Sequence, residues 1–272
     1  MVVRLQLTLS RPLRRYRIPI VLALLVTMVV SGCLLYGSMD DPRLWPRGES
    51  FCDPAAVTQL MDVDAYAGWE WGTPSPTMER DGLTYFHPVG AAQAALAALQ
   101  AGDRHMAVEL ADRLDREGLA YEFRWEWPPG EMIEPPWYSA MAQGQALSVY
   151  ARLNDERAQD AYQALITMQR DDGWLPEMPV GPDILNGHIF AAMGLHDYWR
   201  MTGEDEAALS ALRVLTDRLN EFRRVGRPSR YAGSQPAPPK YHAIHVRQLH
   251  QLAAVTGMEC FVEAADAWDR DA

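Results

Sequence analysis

The chain has 272 residues, 48% of them hydrophobic and 22% charged, with a formal net charge of −11 at pH 7. That length accommodates one large domain with a sizeable core or two small ones, and the composition excludes a disordered or fibrous chain. So acidic a balance argues against nucleic acid as a partner, because polyphosphates are held by basic patches.

Residues 1–33 stand apart from the rest. Arg4, Arg11, Arg14, Arg15 and Arg17 precede an apolar run over 18–30, followed by Ser31, Gly32 and Cys33, which is the layout of an export signal. Val30-Ser31-Gly32-Cys33 resembles the lipobox of bacterial lipoproteins, which implies lipidation of Cys33 as the mature N-terminus. The run is shorter than the ~20 residues a spanning helix needs, yet an uncleaved signal anchor continuing through Leu34, Leu35 and Tyr36 is the alternative. Both readings predict an exported, membrane-anchored protein in a bacterial periplasm or at the cell surface. Cleavage removes five arginines and no acid, so the formal charge moves from −11 to −16. With Cys33 taken by the lipid, Cys52 and Cys260 remain, either bridged in an oxidising compartment or as two inert thiols.

Residues 34 to about 60 mix Pro, Gly, Asp and Arg with little periodicity and predict a tether, and an irregular entry with Trp69 and Trp71 follows up to residue 80. From Pro88 onward the pattern is helical, and 81–272 form the predicted domain. Four segments each give a helix, a short polar turn and a second helix. The turns are Ala101-Gly102-Asp103, Asn154-Asp155-Glu156, Thr202-Gly203-Glu204-Asp205 and Thr256-Gly257-Met258-Glu259. Each joins a helix-ending Gly or Asn to an acid suited to the next helix's first turn.

The second helix of each pair (DRHMAVELADRL, ERAQDAYQALITM, EDEAALSALRVL, ECFVEAADAW) has apolar residues at spacings of three and four with charges between, as an outer helix with one wet face would. The first helices are richer in Ala and Gly and read as an inner ring. The fold class predicted is therefore all-α, an (α/α) toroid or incomplete α/α barrel of about four helical hairpins. The long aromatic and proline-rich links, 121–137, 170–184 and 224–240, all precede inner helices and so fall on one rim, where they make a cleft. Trp125, Trp127, Trp137, Tyr138, Trp174, Tyr231 and Tyr241 come to that rim, and flat rings stack on the apolar faces of sugars.

Three blocks resemble the C-terminal domain of the D-glucuronyl C5-epimerases, which invert glucuronate to iduronate: WYSAMAQGQA at 137–146, 173–198 with its NGHIF and GLHDY cores, and YHAIHVRQL at 241–249. A weaker fourth is YFHPVGAAQAA at 85–95. The resemblance implies an α/α toroid and an isomerase acting at the C5 of a uronate, and no cofactor is expected. Taking that proton needs a base on one face, neutralisation of the carboxylate and a donor on the other face. The family's tyrosines map to Tyr241 and, beside Arg230, to Tyr231. A third tyrosine of the family falls where this chain has Met178, in Glu177-Met178-Pro179-Val180, and a thioether carries no proton.

The expected catalytic residues are thus Tyr241, Tyr231, His242 as an alternative base, and Glu177 at a proline-fixed position. Those expected to bind substrate are Arg230, Arg247, Asn186, His188, His245, Trp137, Gln143 and Trp174; Asn186 and His188 either meet the sugar or order their own loop. His242 and His245 share a helical face, but no carboxylate or third His at fixed spacing completes a metal site. Arg230, Lys240 and Arg247 are a thin basic patch, fitting a lightly charged glucuronate-containing polysaccharide or oligosaccharide better than a heavily sulfated one. A polysaccharide lyase and a non-catalytic polysaccharide-binding lipoprotein are the alternatives. The family's β-rich domains are absent, which leaves its dimer interface without a counterpart and a homodimer open.

Overall fold

The computed structural model describes residues 51–127 and 130–272. The export signal, the lipobox with Cys33 and residues 34–50 of the tether lie outside the described residues. Among those described, none of the helices is long and apolar enough to cross a membrane.

Among the described residues, eight α-helices form four hairpins: α1 (Pro88–Gln100) with α2 (Arg104–Glu117), α3 (Ala140–Leu153) with α4 (Arg157–Met168), α5 (Leu185–Thr202) with α6 (Glu206–Phe222), and α7 (Pro239–Thr256) with α8 (Cys260–Asp271). The turn residues do what their chemistry allows. Asp103 caps α2 by accepting the Met106 N–H, and Asn154, Gly203 and Gly257 end α3, α5 and α7 in the left-handed region. The odd-numbered helices pack side by side in the order α1, α3, α5, α7, and each even-numbered helix lies on its own hairpin partner.

The two classes of helix are buried as their composition requires. In α3 every residue except Arg152 is buried, and α5 is buried from Leu185 through Tyr198. In α2 only Ala107, Ala111 and Leu114 are, at spacings of four and three, which is one face of an outer helix. Gly144 and Gly194 set the distance between α3 and α5: a β-carbon on Gly194 would stand 2.1 Å from the Gly144 carbonyl oxygen, and one on Gly144 2.4 Å from the Ala191 Cα. A helix-interior glycine costs about 1 kcal/mol against alanine. Here it lets two backbones touch.

Two features differ from the sequence reading. The long links are not irregular throughout but carry short antiparallel pairs: β1 (Thr77–Arg80) with β2 (Leu83–Phe86), β3 (Ala120–Tyr121) with β6 (Trp137–Tyr138), β4 (Trp125–Trp127) with β5 (Glu131–Ile133), and β7 (Arg230–Ala232) with β8 (Gln235–Pro236). The β1–β2 turn is Asp81-Gly82, both at positive φ (52° and 75°), the conformation a two-residue hairpin demands.

The second difference is that residues 51–71, the end of the predicted tether and the start of the irregular entry, pack into the domain. Val57, Leu60, Ala65, Tyr66 and Trp69 are buried in the main core. The segment bonds to all four inner helices: Trp71 to Gln100 of α1, Asp64 to Arg152 of α3, the Met61 carbonyl to His196 of α5, and the Met61 N–H to the Val255 carbonyl of α7. Cys52 is disulfide-bonded to Cys260 of α8, 208 residues away. Of the two readings for these cysteines the bridge is the one formed, and the compact domain begins well before residue 81.

Candidate functional site

A cavity of about 590 Å³ opens where the inner helices begin. Its lining includes the first turn or cap of each: His87 and Val89 at α1, Ser139 and Met141 at α3, Asn186 at α5, Lys240 and Tyr241 at α7. Four helix N-termini therefore face one space, each presenting a partial positive charge that favours an anion.

Glu177 enters this space from the loop ahead of α5. Pro176 and Pro179 flank it, and the Pro176 carbonyl accepts the Ala140 N–H at 3.2 Å, which fixes the loop to the start of α3. Gly187 makes room for the side chain, since a β-carbon there would lie 2.0 Å from Glu177 Oε2. The residue as a whole is half-buried, but Oε2 is sealed from solvent and has no hydrogen-bond partner among the described residues. Burial pushes its carboxyl pKa up to about 7. It is thus poised to exchange a proton near neutrality.

Three tyrosines feel the charge of Glu177. Tyr231 and Tyr241 have ring centroids 4.6 Å apart, and their hydroxyls share a hydrogen bond. Burial, then the carboxylate, holds both phenols above their ordinary range. Tyr121 is raised the same way; its hydroxyl accepts the Val89 N–H, and its ring stacks on Trp137 at 4.1 Å. These phenols stay protonated and act as hydrogen-bond donors, so the carboxyl of Glu177, rather than a tyrosinate, is the titrating member of the group.

Asn186, buried to 2% exposure, lines the cavity with its Oδ1 unpartnered. Lys240 and Arg247 supply positive charge; Arg247 stands over the Trp69 ring at 5.1 Å and meets Glu70 at 3.4 Å. Of the residues expected from sequence, the structure brings together Tyr241, Tyr231, Glu177, Asn186, Trp137 and Arg247 in this lining.

The remaining six lie outside it. His188 and His242 are tied at both ring nitrogens to backbone: His188 accepts the Leu175 N–H and donates to the Ala211 carbonyl, and His242 accepts the Ser229 N–H and donates to the Trp268 carbonyl. An imidazole with both nitrogens occupied has no lone pair for substrate, so His242 is not placed as a base. His245 is buried against the Ser229 hydroxyl, with a pKa held down to about 3 by burial. Trp174 is fully buried between His188 and Phe222 rather than open for stacking. Arg230 is 2% exposed beneath the β7–β8 turn, with a guanidinium N–H on the Gly233 carbonyl. Gln143 is buried within α3, and the glutamine in the lining is Gln93 of α1.

Sequence reasoning did not assign Trp69, Glu70 and Trp71 to the site, because a segment without periodicity reads as an irregular entry, nor His87, Gln93 and Tyr121. A signal existed for the first group: two tryptophans and a tyrosine within six residues are too apolar to be left in water. Among the described residues no cluster of three or more His, Cys, Asp or Glu could hold a metal ion.

Residues 164–270 match a family model described as the D-glucuronyl C5-epimerase C-terminus. A D-glucuronyl C5-epimerase of Caenorhabditis elegans is 26% identical over 178 residues, an alignment covering 50% of this chain and 29% of that protein. The chain thus spans less than a third of the relative's length. The match 164–270 contains Glu177, Asn186, Tyr231, Tyr241 and Arg247, whereas His87, Tyr121 and the tryptophans of 69–71 precede it.

Proposed function

Because residues 164–270 belong to the C-terminal domain family of the D-glucuronyl C5-epimerases, we infer that the protein is a uronate C5-epimerase acting on a glucuronate-containing glycan. The observation that carries this reading is Glu177: a carboxyl with one sealed oxygen and a pKa of about 7, beside Tyr231, Tyr241 and Tyr121, at the common mouth of four helices.

The hydrogen on C5 of a uronate is α to a carboxylate, and removing it leaves a dianionic enediolate unless the carboxylate charge is met first. Lys240, Arg247 and the helix N-termini supply that counter-charge. The tyrosine hydroxyls donate hydrogen bonds to the developing oxyanion, and Glu177 exchanges the proton. The wall of Tyr121, Phe123 and Trp137 gives the pyranose an apolar surface.

The packing order α1, α3, α5, α7 supports an incomplete (α/α) toroid, and the Cys52–Cys260 bridge supports residence in an oxidising compartment. On this reading Cys33 anchors an exported protein to the membrane, and replacing Cys33 by Ala should release it in soluble form.

The test is to incubate purified protein with an unsulfated glucuronate polymer in heavy water. Deuterium at C5 together with iduronate in an intact chain is the expected result, and Glu177→Gln should lower the inversion rate by about 10²-fold or more while affinity is kept. One observation favours a second reading, a non-catalytic glycan-binding protein: Met178, beside Glu177 in the lining, carries no proton. Saturable binding with no exchange at C5 would establish that reading instead, and an unsaturated, ultraviolet-absorbing end would mark a lyase.

A further inference from the structure

Inversion at a carbon needs a proton carrier on each face of the ring, and the groups gathered around Glu177 account for one. Tyr231 and Tyr241 are hydrogen-bonded to each other, and burial and then the charge of Glu177 raise both, so these three side chains are one cluster on one wall. Met178 beside them is inert. We propose that His87 is the second catalytic proton carrier, serving the face of the uronate ring opposite Glu177. The inference rests on the epimerase reading above.

His87 reaches the same cavity from another direction. It caps α1, the first of the inner helices, whereas Tyr241 stands on α7, the last in the packing order. Its ring is fixed rather than swinging: it donates to the Ser75 carbonyl, with Nδ1 crowded against the place where a Gly90 β-carbon would stand, 2.6 Å away, and Ser75 O 1.9 Å from that same point. With Nδ1 turned to Ser75, Nε2 is the nitrogen left for a ligand. Tyr121 connects the two neighbourhoods, its ring centroid 6.1 Å from that of His87 and its hydroxyl close enough to feel Glu177.

The other ionisable groups in the lining are unsuited to the task. Tyr121 is held by the Val89 N–H, Glu70 is exposed and paired with Arg247, and Lys240 and Arg247 are the groups assigned to the substrate carboxylate. Burial acts on His87 and Glu177 in opposite senses, lowering the imidazole and raising the carboxyl. Burial thus favours the uncharged form of each, and the productive pair is a neutral imidazole and a carboxylic acid. In one direction the C5–H bond breaks, its proton passes to Nε2, and the electron pair moves into the substrate carboxylate as an enediolate. Glu177 then delivers its proton to the opposite face and a new C5–H bond forms. The imidazolium gives one proton to solvent, the carboxylate takes one back, and the cycle closes.

The test uses the full chain with unsulfated polymers containing glucuronate and iduronate, each in heavy water. His87→Asn keeps a donor at the Nδ1 position for Ser75 and removes Nε2. It should lower inversion by about 10²-fold or more, while one of the two epimers still exchanges its C5 hydrogen within about tenfold of wild type. Glu177→Gln should show the complement, with the other epimer exchanging. Inversion within tenfold of wild type in His87→Asn, or loss of exchange from both epimers in a variant that melts like wild type, overturns the role of His87 and leaves the epimerase reading standing. Absence of exchange in wild type itself removes that reading and this one with it. Should His87→Asn not fold, His87→Gln, which also lacks a titrating nitrogen, is read the same way.

Discussion

His188 and His242 occupy equivalent places in consecutive hairpins. Each sits in the first turn of an inner helix, accepts through Nδ1 from a backbone N–H thirteen residues earlier, and donates through Nε2 to a carbonyl of the outer helix that follows. The N–H groups they hold, of Leu175 and Ser229, each lie two residues before a pocket side chain, Glu177 and Tyr231. A repeated histidine peg therefore positions both loops. His188→Ala should cost about 2–4 kcal/mol of stability, since it leaves a buried N–H and a buried carbonyl unpaired beside a cavity. It should also lower turnover through Glu177, whereas His188→Asn, which keeps the acceptor for Leu175, should restore a good part of the turnover and less of the stability. Chemical denaturation and the C5 exchange rate, read on the same two proteins, separate the two effects.

The contact between Gly187 and Glu177 gives a sharper prediction. A β-carbon 2.0 Å from Oε2 cannot be accommodated without displacing the carboxylate. Gly187→Ala should therefore lower the exchange rate by about 10²-fold and destabilise by about 1–3 kcal/mol. Combined with Glu177→Gly, the same substitution should lose most of its cost, because the Oε2, Cδ and Cβ atoms it meets are all gone. A double-mutant cycle that shows simple additivity would refute this packing relationship.

The helical hairpins and their turns could be read from spacing alone, because the i, i+3, i+4 pattern of α2 or α8 and the Gly or Asn at each turn are local signals. The site was legible only in part. Glu177 stood out as a charged group at a proline-fixed loop position, and Tyr241 and Tyr231 through the resemblance to the epimerases, but which histidine faces the cavity depends on helix rotation. His188, His242 and His245 turn toward the outer layer and the loops, a choice set by carbonyls distant in sequence, at Ala211 and Trp268. His87 went unremarked because it precedes a proline at the start of a helix, where a cap is the ordinary explanation. Arg230 was misjudged because nothing local shows that the β7–β8 turn folds over it.

Burial of the Glu177 carboxyl couples stability to pH. A carboxyl raised from an unfolded value near 4.5 to about 7 is easier to bury protonated, so its contribution to stability is fully present below pH 4.5 and is lost as pH rises through 7. Glu177→Gln removes that dependence. Relative to wild type, its melting temperature should show no change in this increment below pH 4.5 and should gain on the order of a few degrees by pH 8. A gain that shrinks as pH rises would mean that the carboxylate is stabilised in the folded protein and that the assigned environment is wrong.

Arg247 should recognise charge on the substrate while Glu70 competes for it. The pair is 3.4 Å apart and largely exposed, so it contributes little to stability. Arg247→Ala should raise KM by about tenfold or more with a smaller change in kcat, as loss of ground-state binding does. Glu70→Gln should lower KM, because it frees the guanidinium, and both effects should fade with added salt. Equal KM values for Glu70→Gln and wild type at low salt would place the uronate carboxylate away from Arg247.

The segment 51–71 is held by two kinds of link that should fail differently. The Cys52–Cys260 bridge closes a span of 208 residues and acts chiefly on the unfolded chain. The double substitution Cys52→Ala, Cys260→Ala should cost about 2–4 kcal/mol, yet leave exchange at 25 °C within about threefold of wild type, because Met61, Val57 and Asp64 still bond to α7, α6 and α3. Arg152 is the opposite case. It bonds Asp64 and the nearly inaccessible Asp197 and lies over the Tyr66 ring at 4.8 Å. Arg152→Ala leaves Asp197 with its main counter-ion gone and should cost about 3–5 kcal/mol. Because Tyr66 packs against Trp71 at 5.1 Å, turnover should drop even at temperatures where the variant remains folded. If the cysteine variant lost more activity than Arg152→Ala at equal folded fraction, the bridge itself would be holding the tryptophan wall in place.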